Sequence, residues 1–143
     1  MGTDRTAKGA WAGSLMEAGG QKEGVGGGAF GPLDVTWAAR AESPDGKTSP
    51  EELIAAAWAS CYSMALSHGL AQAGTPPTSV DTHAEVDFQP GTGITEIRLT
   101  VRASVPGLSA EDFQTAAETA KKNCPVSQAL TSVPSITLDA ALV

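Results

Sequence analysis

Ser49-Pro50-Glu51-Glu52-Leu53-Ile54-Ala55-Ala56-Ala57-Trp58-Ala59-Ser60-Cys61-Tyr62-Ser63-Met64-Ala65-Leu66-Ser67-His68-Gly69-Leu70-Ala71-Gln72 is the stretch on which the fold turns. Ser49 suits an N-cap, Pro50 the first helical position, and Glu52 completes a capping box. Gly74 and the Pro76-Pro77 pair end what they begin. The spacing predicts a helix from Pro50 to about Gln72, roughly 35 Å long at about 1.5 Å per residue. Its apolar and small residues point in every direction, which predicts a helix buried on all sides.

Downstream, Val80, Thr82, Ala84, Val86 and Phe88 alternate with polar residues, as do Ile97, Leu99, Val101, Ala103 and Val105. Pro90-Gly91-Thr92-Gly93 joins them, so the pair reads as a hairpin. One solvent face is mainly acidic and the other carries Arg98 and Arg102, a pattern that favours cross-strand charge pairing. Ser109-Ala110-Glu111-Asp112 starts a second helix that ends at Asn123. Cys124-Pro125-Val126-Ser127 starts a short further turn, and Ile136, Leu138, Ala140 and Leu142 alternate as a closing strand.

Upstream, three strands are expected. The first begins at Ala7, the glycine-rich stretch from Gly19 to Gly31 turns the chain into the second, and Leu33-Asp34-Val35-Thr36-Trp37-Ala38-Ala39-Arg40 forms the third. Ser43-Pro44-Asp45-Gly46 is a turn. The order of elements predicts a single α+β domain over residues 1–143, with a mainly antiparallel sheet and one long central helix.

Lysine and arginine total 9 against 16 acidic residues, for a net charge of −7 and an isoelectric point near 4.6. That balance argues against a nucleic-acid partner. The opening Met1-Gly2-Thr3-Asp4-Arg5-Thr6 lacks an apolar signal segment, and no stretch stays apolar for the roughly 18 residues of a membrane span. The expectation is a cytoplasmic chain with no membrane partner. Alanine supplies much of the apolar content, and a core of small side chains gains little per residue from burial. A second copy of the chain is therefore expected to complete it as a dimer.

Cys61 and Cys124 show no CxxC and no histidine pair at metal spacing, so no metal site is expected. They read either as buried small residues or as a redox pair. Cys61 lies mid-helix, where the macrodipole cannot lower its pKa, so a reactive thiolate there needs a cation from elsewhere. Arg40, at the end of an apolar strand, is one source, with Glu51 able to grip its guanidinium; alternatively Arg40 snorkels and Glu51 only complements the helix start. Cys124, before Pro125, sits at a helix start whose free N–H groups favour a thiolate, although a buried cap residue is the alternative. His68 falls near the face of Cys61 but about 10 Å along the axis, too far to act as its base. His83 reads as a solvated strand residue.

Three segments carry a resemblance to a known family. Thr48-Ser49-Pro50-Glu51-Glu52-Leu53-Ile54-Ala55-Ala56-Ala57, then Ala59-Ser60-Cys61-Tyr62-Ser63-Met64-Ala65-Leu66, then Asn123-Cys124-Pro125-Val126-Ser127-Gln128-Ala129-Leu130 resemble the osmotically inducible protein C family of bacterial organic hydroperoxide reductases. The position of Arg40, just before the helix, is similar to that branch rather than to the organic hydroperoxide resistance branch. The resemblance implies an intertwined homodimer with sheets wrapped around the long buried central helices. It also implies Cys61 as peroxidatic thiol, Cys124 as resolving thiol, Arg40 as thiolate partner and Glu51 as the residue that positions it. The implied activity is reduction of organic hydroperoxides without cofactor or metal, with a dithiol as reductant. Trp58 departs from the histidine or tyrosine expected there, and its place near Cys61 suggests that it lines or narrows the pocket. A redox-sensing or ligand-binding dimer without turnover is the competing reading.

Overall fold

The structure is a computed structural model that describes residues 2–16 and 22–143. The chain divides into two compact units, one ending at Leu53 and the other running from Ile54 to Val143.

In the first unit, β1 (Ala7–Gly9), β2 (Lys22–Val25) and β3 (Leu33–Asp34) form an antiparallel sheet in that order. Part of the expected glycine turn, from Gly19 to Gln21, lies outside the described residues. The third strand stops well short of Arg40. Thr36 caps a short helix, α1 (Trp37–Ala41), its hydroxyl accepting a hydrogen bond from the Ala39 backbone N–H at 3.0 Å. Arg40 is therefore a helical residue and not a strand end. The capping threonine, followed by alanines of high helix propensity, outweighs the strand preference of Val35 and Trp37. The turn at Pro44 closes with the Lys47 N–H donating to the Pro44 carbonyl, and Asp45 and Gly46 both take positive φ.

The long helix α2 runs over Pro50–Gln72, 23 residues, and Gly74 follows it at φ +86°. Ser49 caps it by accepting from the Glu52 N–H at 3.2 Å. Glu52 itself accepts from the Thr48 hydroxyl, so its carboxylate serves a side chain at the helix entry.

In the second unit, β4 (Ser79–Gln89) and β5 (Gly93–Ser104) form the expected antiparallel hairpin. β6 (Ser135–Leu142) joins the other side of β5 in parallel, with Ile97 opposite Ile136 and Leu99 opposite Leu138. A parallel neighbour requires a crossover, and α3 (Ala110–Asn123) with α4 (Pro125–Ala129) supplies it. Arg98 reaches Glu85 directly across the hairpin and Glu96 on its own strand, whereas Arg102 turns to Asp139 on β6.

Within the single chain, burial along α2 is concentrated in one stripe. Trp58, Tyr62, Leu66 and Leu70, four residues apart, are fully buried in one core with Ile97, Leu99, Val101 and Phe113. Met64, away from that stripe, is 72% exposed. One sheet and one helix cover only part of a cylinder, so a single chain encloses one stripe and leaves other apolar positions open. Among the described residues, no helix is long and apolar enough to cross a membrane.

Candidate active site

Cys61 lies on α2, with its side chain toward the start of α4, and Cys124 is both the last cap of α3 and the first cap of α4. Pro125 at the first position of α4 forces this break, because it cannot continue the hydrogen-bonded ladder of α3. The two sulfurs come within 3.2 Å of each other. Both are free thiols, Cys124 fully buried and Cys61 partly exposed. A disulfide needs about 2.04 Å between sulfurs, so closing one requires a shift of about 1 Å.

The two thiols differ in their surroundings. Burial pushes Cys61 up; the Val126 backbone N–H opposes that, and the neighbouring Cys124 adds to it, leaving Cys61 above an ordinary thiol. Burial also raises Cys124, but hydrogen bonds from the Ser127 backbone N–H and hydroxyl, from the Cys61 thiol and from Val126 outweigh it and hold Cys124 below an ordinary thiol.

Ser127 was not visible as a site residue in the sequence. It is a buried polar residue that accepts a hydrogen bond from the Trp58 indole Nε1 at 2.8 Å. The available signal was its place three residues after the capping Cys124, where an N-cap side chain and the third helical residue face each other. Trp58 is 0% exposed and belongs to the core, so its indole faces inward and does not line an open pocket. Tyr62, one turn on, donates to the Ala117 carbonyl at 2.9 Å and ties α2 to α3. Burial, then Glu118 and Cys124, push its phenol well up.

The first unit holds the other expected pair. Arg40 meets Glu51 through Nε at 2.9 Å and through Nη2 at 2.8 Å, both on Oε1. Glu51 is 5% exposed, and its Oε2 is buried without a hydrogen-bond partner among the described residues. Arg40 also borders a cleft of about 220 Å³ with Trp11, Leu15, Val35, Thr36 and Trp37. In the second unit a larger cleft, about 540 Å³, is walled by Ala65, Leu70, Leu108 and Ala116 with Asp112 and Asn123 at its edges; neither cysteine lines it. His68 and His83 are exposed. Among the described residues, no three His, Cys, Asp or Glu side chains converge as a metal site would need.

A family model described as OsmC-like protein matches residues 43–139. The chain is 50% identical over 95 residues to the peroxiredoxin OsmC of Escherichia coli (strain K12), and equally so to that of Shigella flexneri, covering 64% of this chain and 65% of theirs. The match thus spans 65% of the length of these relatives. Among solved structures, an organic hydroperoxide resistance protein OsmC from Legionella pneumophila superposes with a TM-score of 0.74 at 23% identity, over 97% of each chain. The organic hydroperoxide resistance protein OhrB of Bacillus subtilis does so with a TM-score of 0.70 at 20% identity, over 99% of this chain and 98% of that one. At those identities the superpositions speak for the shared α+β fold.

Proposed function

This chain belongs to the OsmC-like protein family, and on that premise we propose that it is a cysteine-based peroxidase that reduces organic hydroperoxides to alcohols. The observation that carries the reading is the 3.2 Å separation of the Cys61 and Cys124 sulfurs. The peroxide meets Cys61, the more exposed thiol, as its thiolate. That sulfur attacks the O–O bond, an alcohol leaves, and Cys61 becomes a sulfenic acid. Cys124 attacks the sulfenic sulfur, the S–S bond forms, and the S–O bond breaks with loss of water. An external dithiol then reduces the disulfide. Thiol chemistry of this kind needs neither metal nor bound cofactor.

Cys61 does not become a thiolate unaided, since burial and its neighbour hold its proton in place. The proposed cation is Arg40, held by Glu51, which lowers the Cys61 pKa and stabilises charge on the leaving oxygen. A guanidinium gripped by a buried carboxylate has little freedom to turn away, and this supports the assignment. The active form is proposed to be a cytoplasmic homodimer of single-domain subunits; the exposure of the large apolar Met64 side chain on α2 supports a second copy.

The test is steady-state consumption of cumene hydroperoxide and of hydrogen peroxide with dithiothreitol, beside the Cys61→Ser variant. Turnover that is faster with the organic substrate and absent in the variant is the expected result. A folded, reduced protein that consumes neither peroxide overturns the reading.

A further inference from the structure

Trp58 stands one turn before Cys61 on α2, and Ser127 stands three residues after Cys124, at the third position of α4. Their side chains meet in the core, where the Trp58 indole N–H donates to the Ser127 hydroxyl at 2.8 Å; both residues are buried. The contact therefore bridges α2 and α4 one turn away from the place where the two cysteines meet. α4 is five residues long, too short to hold its shape alone, so its position depends on what it is tied to. Gln128 ties it to α3 by donating to the Lys122 carbonyl at 3.0 Å, and that bond is exposed. The bond from Trp58 is buried, so breaking it leaves both groups without water to replace it.

We infer that the Trp58–Ser127 hydrogen bond is a strut that keeps Cys124 within reach of Cys61, and that it thereby protects Cys61 from oxidation beyond the sulfenic acid. The inference rests on the reading of Cys61 and Cys124 as a peroxidatic and resolving pair. Two reactions compete for the sulfenic acid of Cys61. In one, the Cys124 sulfur bonds to the Cys61 sulfur, the S–O bond breaks, and the hydroxyl leaves with the Cys124 thiol proton as water. In the other, the sulfenic sulfur attacks the O–O bond of a second hydroperoxide; the sulfur is oxidised to the sulfinic acid, the peroxide is reduced to an alcohol, and a dithiol does not reverse the step. The first reaction is intramolecular, so its rate rises with the fraction of time the sulfurs spend near the 3.2 Å at which they stand. The second depends on the concentration of hydroperoxide. Releasing α4 from α2 slows the first and leaves the second unchanged, so Trp58 and Ser127 act as positioning residues, through the placement of α4.

The test equilibrates the full chain in glutathione redox buffers without any peroxide, where the ratio of Cys61–Cys124 disulfide to dithiol gives the effective concentration of one thiol at the other. Trp58→Phe and Ser127→Ala are each expected to lower it about fivefold, the equivalent of one hydrogen bond. The double variant is expected to fall no further than either single one, because both substitutions remove the same contact. An unchanged effective concentration in a folded Trp58→Phe variant overturns the strut, as does a double variant whose loss is the product of the single losses. Trp58→Phe keeps a large apolar side chain in the core, so it decides the matter if Ser127→Ala does not fold. Excess cumene hydroperoxide is then added with dithiothreitol, and mass spectrometry counts Cys61 sulfinic acid. Trp58→Phe is expected to accumulate it about fivefold faster per turnover than the unsubstituted chain, and equal accumulation overturns the protective role. If the unsubstituted chain consumes no hydroperoxide, the peroxidase reading fails by itself, and the redox buffers still decide the strut.

Discussion

The sulfurs of Cys61 and Cys124, 63 positions apart in the chain, stand 3.2 Å from each other because α2 and the break between α3 and α4 meet in one core. The two are held at near-bonding range while unequal in acidity, Cys61 above and Cys124 below an ordinary thiol.

One equivalent of an organic hydroperoxide is expected to remove both free thiols and leave an intramolecular disulfide, counted by thiol titration and mass spectrometry. Cys61→Ser should consume none. Cys124→Ser should consume one equivalent and stop at the sulfenic acid, trapped by a dimedone-type reagent. Equal loss of consumption in both variants would instead argue that the thiols only support the fold.

Arg40→Lys should retain the charge and lose the fork that meets Glu51 through two nitrogens. Peroxidase kcat/KM is expected to fall about tenfold or more. Arg40→Ala should also destabilise the chain by about 1–2 kcal/mol, because it leaves the buried Glu51 carboxylate without its partner, although Arg40 is itself one third exposed. Urea unfolding at neutral pH measures the second effect, and an unchanged midpoint would remove Glu51 from any dependence on Arg40.

Tyr62 gives a pH dependence with a definite sign. Its phenol is raised, chiefly by burial, and donates to the Ala117 carbonyl. The unfolded chain releases that proton near pH 10, as an ordinary phenol does, while the native chain keeps it. The native state then binds the extra proton, so stability falls as pH rises through about 10 and beyond. Tyr62→Phe should cost about 1 kcal/mol at neutral pH and flatten this alkaline decline, read from urea midpoints across the alkaline range. A decline equally steep in the variant would assign it to other groups.

Met64, a large apolar side chain 72% exposed on α2, is expected to be covered by a second copy of the chain. Met64→Lys should shift the mass in sedimentation equilibrium from dimer toward monomer and leave the far-ultraviolet circular dichroism unchanged. A dimer unaffected by the lysine would place the interface elsewhere.

Local patterns were sufficient for much of the second unit. The Ser49-Pro50 start and the Gly74 stop bounded α2, strict alternation fixed the β4–β5 hairpin, and Pro125 forced the cap at Cys124, because each depends on residues a few positions apart. Where two local signals competed, the reading failed: Thr36 and the alanines after it turned Trp37–Ala41 into a helix against the strand preference of their neighbours.

Side-chain type and short spacing were enough to place most elements, though not α1, and to single out the two cysteines, Arg40 and Glu51 as candidates. The parallel pairing of β6 with β5, the inward turn of the Trp58 indole onto Ser127 and the 3.2 Å approach of the Cys61 and Cys124 sulfurs emerge only in the folded chain. Each of those depends on contacts across tens of residues, where burial and hydrogen-bond partners come from elements that local periodicity does not connect.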